Sequence, residues 1–242
     1  YIETTVVNDT LPEIENYKSS KSGFLIQIDI DKWKESRDRK EAYERNIRNA
    51  LNYGLAVKIS TSLDSLTGFY KLHERLRINK FKKLPQPFLF FTNIYKEFII
   101  KGKGFLLEAW NKNTLIASWV ILEYGDTLYY KFGASDITSL YLRPNDLLFR
   151  SLMQYGNENG FKMIDLGFSG ATKSYEGLIR FKSKEGGERI PIYSIERYPE
   201  NIDKSLLTKR INYLNSITKK AIDSGQISVI REASTNFYGK FA

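Results

Sequence analysis

Cysteine is absent from the 242 residues. Disulfide staples, thiolate zinc sites and a cysteine nucleophile are therefore excluded. Histidine occurs once, as His73, so a histidine-rich metal site is excluded as well. Proline is scarce, at 6 residues, and no proline-rich linker, internal repeat or low-complexity tract interrupts the chain. No apolar run approaches the roughly 20 residues of a membrane span, and no signal peptide is visible. There is no Walker loop, dinucleotide fingerprint or G-x-S-x-G elbow. The chain opens at Tyr1 rather than Met. A piece of a longer protein is the expectation, with the cytoplasm as its compartment.

Acidic residues are the minority charge, 28 against 37 lysines and arginines, for a formal net charge of +9. Such a balance favours an anionic partner: nucleic acid, a nucleotide, a coenzyme or a membrane surface. Hydrophobic residues make up 42%, enough for a real core in one large domain or two small ones.

Residues 1–22 are polar and ambiguous. "GFLIQIDI" (23–30) reads as a strand. Residues 36–53 read as a helix with Tyr43, Ile47, Ala50 and Leu51 on one apolar stripe and Gly54 as its stop. Arg37, Arg39, Lys40, Arg45 and Arg48 decorate its other faces. "LAVKIS" is a short strand. A second helix runs from about Ser62 to Asn79, with Leu66, Phe69, Tyr70, His73 and Leu76 inward, so His73 is expected in the core. Thr92 is expected to cap a third helix ending near Gly102. "GFLLEAWN", "LIASWVILEY" and "TLYYKFGAS" form a meander with hairpin turns at "NKN" and "GD".

The next helix covers about 144–159, with Leu148, Leu152 and Tyr155 on its stripe and Gly160 at its end. Pro144 suits a first turn, where its missing N–H is harmless. "KMIDLGFS" is a strand, "SYEGLIRFKSKEG" a helix capped by Ser174, and "RIPIYSIERY" a last strand. A basic helix over 201–223 and an aromatic tail close the chain. A meander feeding a strand–helix–strand unit gives an α/β fold: a mixed, mostly antiparallel sheet flanked by helices. The junction after "TLYYKFGAS" lies where ligands settle in such sheets. Arg143 and Asn145 open the helix there, and a helix start holds anions.

The ordered series GASD (133–136), RPN (143–145), IDLG (164–167), EGL (176–178) and RFK (180–182) resembles the Fem-type branch of the GNAT superfamily. That branch comprises peptidoglycan-bridge aminoacyl transferases and their relatives. "ERNIRNALNYGLAVKI", "FYKLHERLR", "LPQPF" and the closing "FYGKF" are similar too. The resemblance covers most of residues 24–242. It implies a GNAT-type transferase domain over 24–200. Residues 1–23 are then an extension or the remnant of a first lobe, and 201–242 a basic helix and tail packed on the domain. Fem-type chains usually carry a further N-terminal lobe, and some a coiled-coil arm. Little of the lobe falls in 1–23, so a missing lobe or a homo-oligomer is a candidate partner.

The resemblance also implies roles. Phe181 and Lys182 match the pair flanking the acyl donor, with Arg180 beside them. An amine attacking an ester or thioester forms a tetrahedral oxyanion, which a fixed ammonium at Lys182 would stabilise. Typical GNAT enzymes hold the pyrophosphate of acyl-CoA on a glycine-rich turn. Here Arg143-Pro144-Asn145 replaces it, and Arg143 can fork onto phosphate instead. Tyr130 or Asp136 could assist proton removal. Ser135, Asp165 and Gly167 could contact substrate.

Each residue also has a plain structural alternative: Asp136 as a turn cap, Phe181 as core, Asp165-Leu166-Gly167 as a strand end, and Glu176 as a dipole-friendly start to its helix. The implied reaction moves an aminoacyl group from tRNA, or an acyl group from CoA, to an amine such as a cell-wall peptide or amino sugar. The donor is a co-substrate, with no bound cofactor and no metal. The rival expectation is a non-catalytic basic protein that holds RNA or an anionic glycan along 36–48 and 204–220.

Overall fold

The structure, a computed structural model, describes residues 2–7, 10, 18–35, 40–184, 186–197 and 204–238. In chain order its elements are β1 (Ile2–Val7), β2 (Lys18–Asp29), α1 (Ile30–Glu35), α2 (Lys40–Asn52), β3 (Leu55–Ser60) and α3 (Leu63–Arg75). Next come α4 (Phe88–Ile94), β4 (Gly104–Asn111), β5 (Thr114–Tyr124), β6 (Thr127–Ser135) and α5 (Pro144–Glu158). The series ends with β7 (Met163–Gly170), α6 (Glu176–Lys184), β8 (Glu188–Arg197), α7 (Lys204–Asp223) and α8 (Ile227–Tyr238). The chain divides into two compact units: Tyr1–Tyr43 with Glu123–Lys131 and Met153–Ile202, and Glu44–Leu122 with Phe132–Leu152 and Asp203–Ala242. Strands β5 and β6 each begin in one unit and end in the other.

In the first unit the strand order is β1-β8-β2-β7-β6. All its pairings are antiparallel except β6 with β7, which is parallel over Thr127↔Met163, Leu128↔Ile164 and Tyr129↔Asp165. Proline normally avoids a strand paired on both sides, because it lacks the N–H. Pro191 of β8 lies opposite Phe24 of β2, and among the described residues the β1 ladder ends at Val7↔Ile192. Ile26, Ile28 and Ile30 alternate inward along β2 into α1 and are fully buried.

In the second unit β3, β4 and β5 form an antiparallel run. One face carries Leu106 and Val120, packed in one cluster with Leu66, Phe69 and Tyr70 of α3 and Phe91 of α4. Trp119 points to the other face, where its Nε1 donates to Asn145 Oδ1 of α5 at 3.2 Å. Asn46 of α2 donates to Asp146 of α5 at 2.8 Å, with both side chains buried. His73 is in the core as expected, stacked on Phe69 and hydrogen-bonded to Gln86 at 2.9 Å. Desolvation lowers its pKa to about 4, against the partial support of the Gln86 bond. No helix among the described residues is long and apolar enough to cross a membrane.

Several local expectations are corrected. Tyr43, Ile47 and Ala50 are buried on α2, but Leu51 is 51% exposed, because the last turn of the helix leaves the core before Gly54 stops it at φ +77°. Thr92 does not cap α4. Pro87, extended at ψ 153°, sets that start at Phe88, and Thr92 lies inside the helix with its hydroxyl on Leu89 O. The β2 strand begins five residues earlier than the apolar run, at Lys18. A 3-10 helix (Ile137–Leu142) intervenes before α5. The backbone of Ser174 lies in a 3-10 turn (Lys173–Tyr175) that leads into α6. The C-terminal region is not a tail after one helix: α8 packs on α7 through Ile222 and Ile230. Residues 36–39, 201–203 and 239–242, where parts of two expected helices and the closing aromatic motif fall, lie outside the described residues.

Candidate active site

Most of the α6 residues face solvent, yet Lys182 in its last turn is only 2% exposed. Its ammonium donates to Gly167 O at 3.1 Å, Phe168 O at 3.3 Å and Ser169 Oγ at 3.0 Å. An ammonium has three N–H groups, so all three are directed at β7.

The geometry of β7 explains how it can offer them. Leu25 pairs with Phe168 and Gln27 with Asp165, so Leu166 and Gly167 together face Ile26 alone. This is a β-bulge, with Gly167 in the left-handed region at φ +73°. In a regular strand successive carbonyls point to opposite edges. Here the bulge lets two consecutive carbonyls meet one ammonium. Asp165 fastens the bulge: its Oδ1 accepts from Gly167 N at 2.6 Å, and its Oδ2 accepts from Gln27 at 3.4 Å. The parallel ladder with β6 stops at Tyr129↔Asp165, immediately before the bulge. A side chain at position 167 would bring its Cβ to 3.5 Å from Tyr130 O. The loop after α6 returns so closely that a Cβ on Gly187 would lie 2.2 Å from Ile26 Cγ2.

Burial lowers the Lys182 pKa to about 8, and the Asp165 charge opposes that shift. The site therefore holds a cation that is mostly charged at neutral pH and is lost a little above it. Burial raises the Tyr130 phenol far above its ordinary value. At neutral pH it is a hydrogen-bond donor rather than a base. Phe181 is half-buried and Arg180 exposed, both on α6.

The other expected residues gather in the second unit at the start of α5. Ser135 Oγ donates to Asn145 Oδ1 at 3.0 Å, the same oxygen that Trp119 uses. Asn145 is thus a structural tie as well as a helix-start residue. Asp136 caps the 3-10 helix, accepting from Thr138 N at 3.0 Å and Thr138 Oγ1 at 2.8 Å. Desolvation, the largest single influence, pushes its pKa up; the Thr138 and Ser139 hydrogen bonds and the Arg75 charge together outweigh it and hold the carboxyl below its usual value. Such a carboxylate is a weak proton acceptor. Arg143 ends the 3-10 helix at φ +63° and is exposed. No ion pair or hydrogen bond engages its guanidinium among the described residues.

Sequence pattern did not single out Ser169 or Gln27. A glycine inside a strand is a bulge signal, and Gly167 inside "MIDLGFSG" carried it. The lysine that the bulge receives comes from a separate helix, which no local pattern reveals.

Residues 37–182 match the family model of the acetyltransferase (GNAT) domain. No curated protein matches the sequence. Among solved structures the fold is similar to that of FemX, with a TM-score of 0.62 at 15% identity over 78% of this chain and 65% of that one. It is also similar to L-PGS from Bacillus licheniformis, with a TM-score of 0.58 at 17% identity over 79% of this chain and 64% of that one. The chain therefore spans less than two thirds of either structure, and at such identities the likeness is one of fold. With a match that takes in more than half of its length, including Lys182 and the bulge that holds it, this chain belongs to the GNAT acetyltransferase family.

Proposed function

We propose that the chain is an N-acyltransferase that moves an aminoacyl group from charged tRNA to an amine, of the kind borne by a cell-wall peptide or amino sugar. The observation that carries this reading is the buried ammonium of Lys182, fixed on the β7 bulge. The amine nitrogen attacks the ester carbonyl, the carbonyl oxygen gains the charge, and the C–O bond to the ribose breaks as the amide forms. The amine proton leaves with the ribose oxygen, since Tyr130 is held protonated and Asp136 is tied in a cap. Lys182 stabilises the oxyanion by its fixed charge. Its longest bond, to Phe168 O, is the one that an oxyanion would displace. Phe181 lines the donor site, and Asp165 and Gly167 keep the bulge in shape.

The α5 start favours tRNA over acyl-CoA as donor. Pro144 contributes no N–H, the Asn145 side chain is committed, and Asp146 places a carboxylate in the first turn. A pyrophosphate would meet few donors there and a like charge. The net charge of +9 suits a polyanion. Product mass spectrometry, with acyl-CoA and charged tRNA offered in parallel to peptide and amino-sugar amines, tests the reading. An amide product from tRNA supports it. Turnover of acyl-CoA alone makes the chain a CoA-type enzyme, and consumption of neither donor ends the transferase reading.

A further inference from the structure

Helix α7 (Lys204–Asp223) packs into a hydrophobic cluster at its C-terminal end. Ala221 and Ile222 are buried against Leu84 and Ile230. Upstream, Ile211, Tyr213, Leu214 and Ile217 are all exposed. At 3.6 residues per turn these four continue the buried side of Ala221 and Ile222, roughly half of the helix circumference. The apolar face is therefore covered at Ala221 and Ile222 and exposed over Ile211–Ile217. Lys209, Arg210, Lys219 and Lys220 are exposed on the same helix, and no ion pair engages them among the described residues. Asp223 is the helix's one acidic residue.

An apolar face with lysines at its edges and Arg210 within it fits one kind of partner better than others. RNA would satisfy the cations but leave the isoleucines and leucine in water. A second copy of α7 would cover the apolar face but set the same cations against each other. An anionic lipid surface satisfies both, with aliphatic side chains at the acyl boundary and lysines at the headgroups. Tyr213 adds an amphipathic ring suited to that boundary.

We propose that α7 is an interfacial helix that docks the protein on anionic membranes, lying in the surface without crossing it. This inference is independent of the transferase reading. The test is flotation of the full chain with vesicles of phosphatidylcholine alone or with about a third phosphatidylglycerol. Binding is expected only to the anionic vesicles. Ile211→Ser with Leu214→Ser removes the binding while leaving thermal unfolding unchanged, since both side chains already face solvent. Lys209→Gln with Lys219→Gln and Lys220→Gln lowers partitioning on the order of a hundredfold. A Tyr213→Trp variant gives blue-shifted emission in the presence of the anionic vesicles. The proposal is overturned if the anionic vesicles do not float the protein. It is equally overturned if the apolar double variant binds them as well as the wild type, or if it abolishes self-association instead.

Discussion

Lys182 carries two pH consequences of opposite use. Its folded pKa of about 8 lies below the ordinary 10.5. Between those values the unfolded chain binds a proton that the folded chain does not, so this residue makes stability rise with pH across that window. Melting temperature of the wild type relative to Lys182→Met is expected to climb from pH 7.5 to pH 10. A flat difference contradicts the burial of the charge. His73 behaves likewise at acid pH: its value of about 4 lies below 6.5, so it costs stability as pH falls through that window. His73→Phe should blunt the acid loss seen in a pH series of urea midpoints. Gly167→Ala places a Cβ in left-handed backbone beside Tyr130 O and is expected to cost about 1–3 kcal/mol by denaturant titration. The resemblance singles out Lys182 and Phe181 as candidates. It did not show that every N–H of the ammonium is engaged, because that depends on a bulge set by the β2 register.

At the scale of elements, hydrophobic period and turn residues sufficed where they agreed. The Gly160 stop behaves as its residue type dictates, at φ +76°, whereas the β4–β5 turn puts its positive φ, +52°, on Lys112 rather than on Asn113. Periodicity failed where backbone constraints outranked it. Pro87 started α4 ahead of Thr92, and polar Lys18–Ser22 joined β2 because β8 supplied hydrogen-bond partners on its flank. One element pair keeps a polar defect that no pattern predicts. Glu108 and Ser118 face each other across β4 and β5, both fully buried, and Glu108 Oε1 and Ser118 Oγ lack hydrogen-bond partners among the described residues. Glu108 Oε2 accepts from Trp110 at 3.1 Å. A buried polar atom left unpaired costs about 1–3 kcal/mol. Glu108→Gln keeps the acceptor for Trp110 and adds an N–H that can reach toward Ser118. It is expected to raise the unfolding free energy by about that amount, and a fall in urea midpoint contradicts this account of the pair.

For the molecule as a whole, composition spoke before any motif did. Without cysteine and with a single histidine, thiolate and histidine-rich chemistry were excluded at the outset. The mixed sheet and the GNAT family were legible from the element order and the five tetrapeptide-scale motifs. The division into two units was not, because β5 and β6 pass from one to the other without a break in hydrophobic pattern. A surplus of nine positive charges predicts that donor affinity falls steeply with salt if the donor is tRNA, and far less for a CoA ester. Stabilisation of the oxyanion by a buried, charged Lys182 has its sharpest test in the pH dependence of single-turnover transfer by the wild type and by Lys182→Met. The wild-type rate is expected to decline as pH rises through about 8, and the variant to be at least about a hundredfold slower with no such decline. A variant that transfers at the wild-type rate, or one that keeps the same decline, contradicts it.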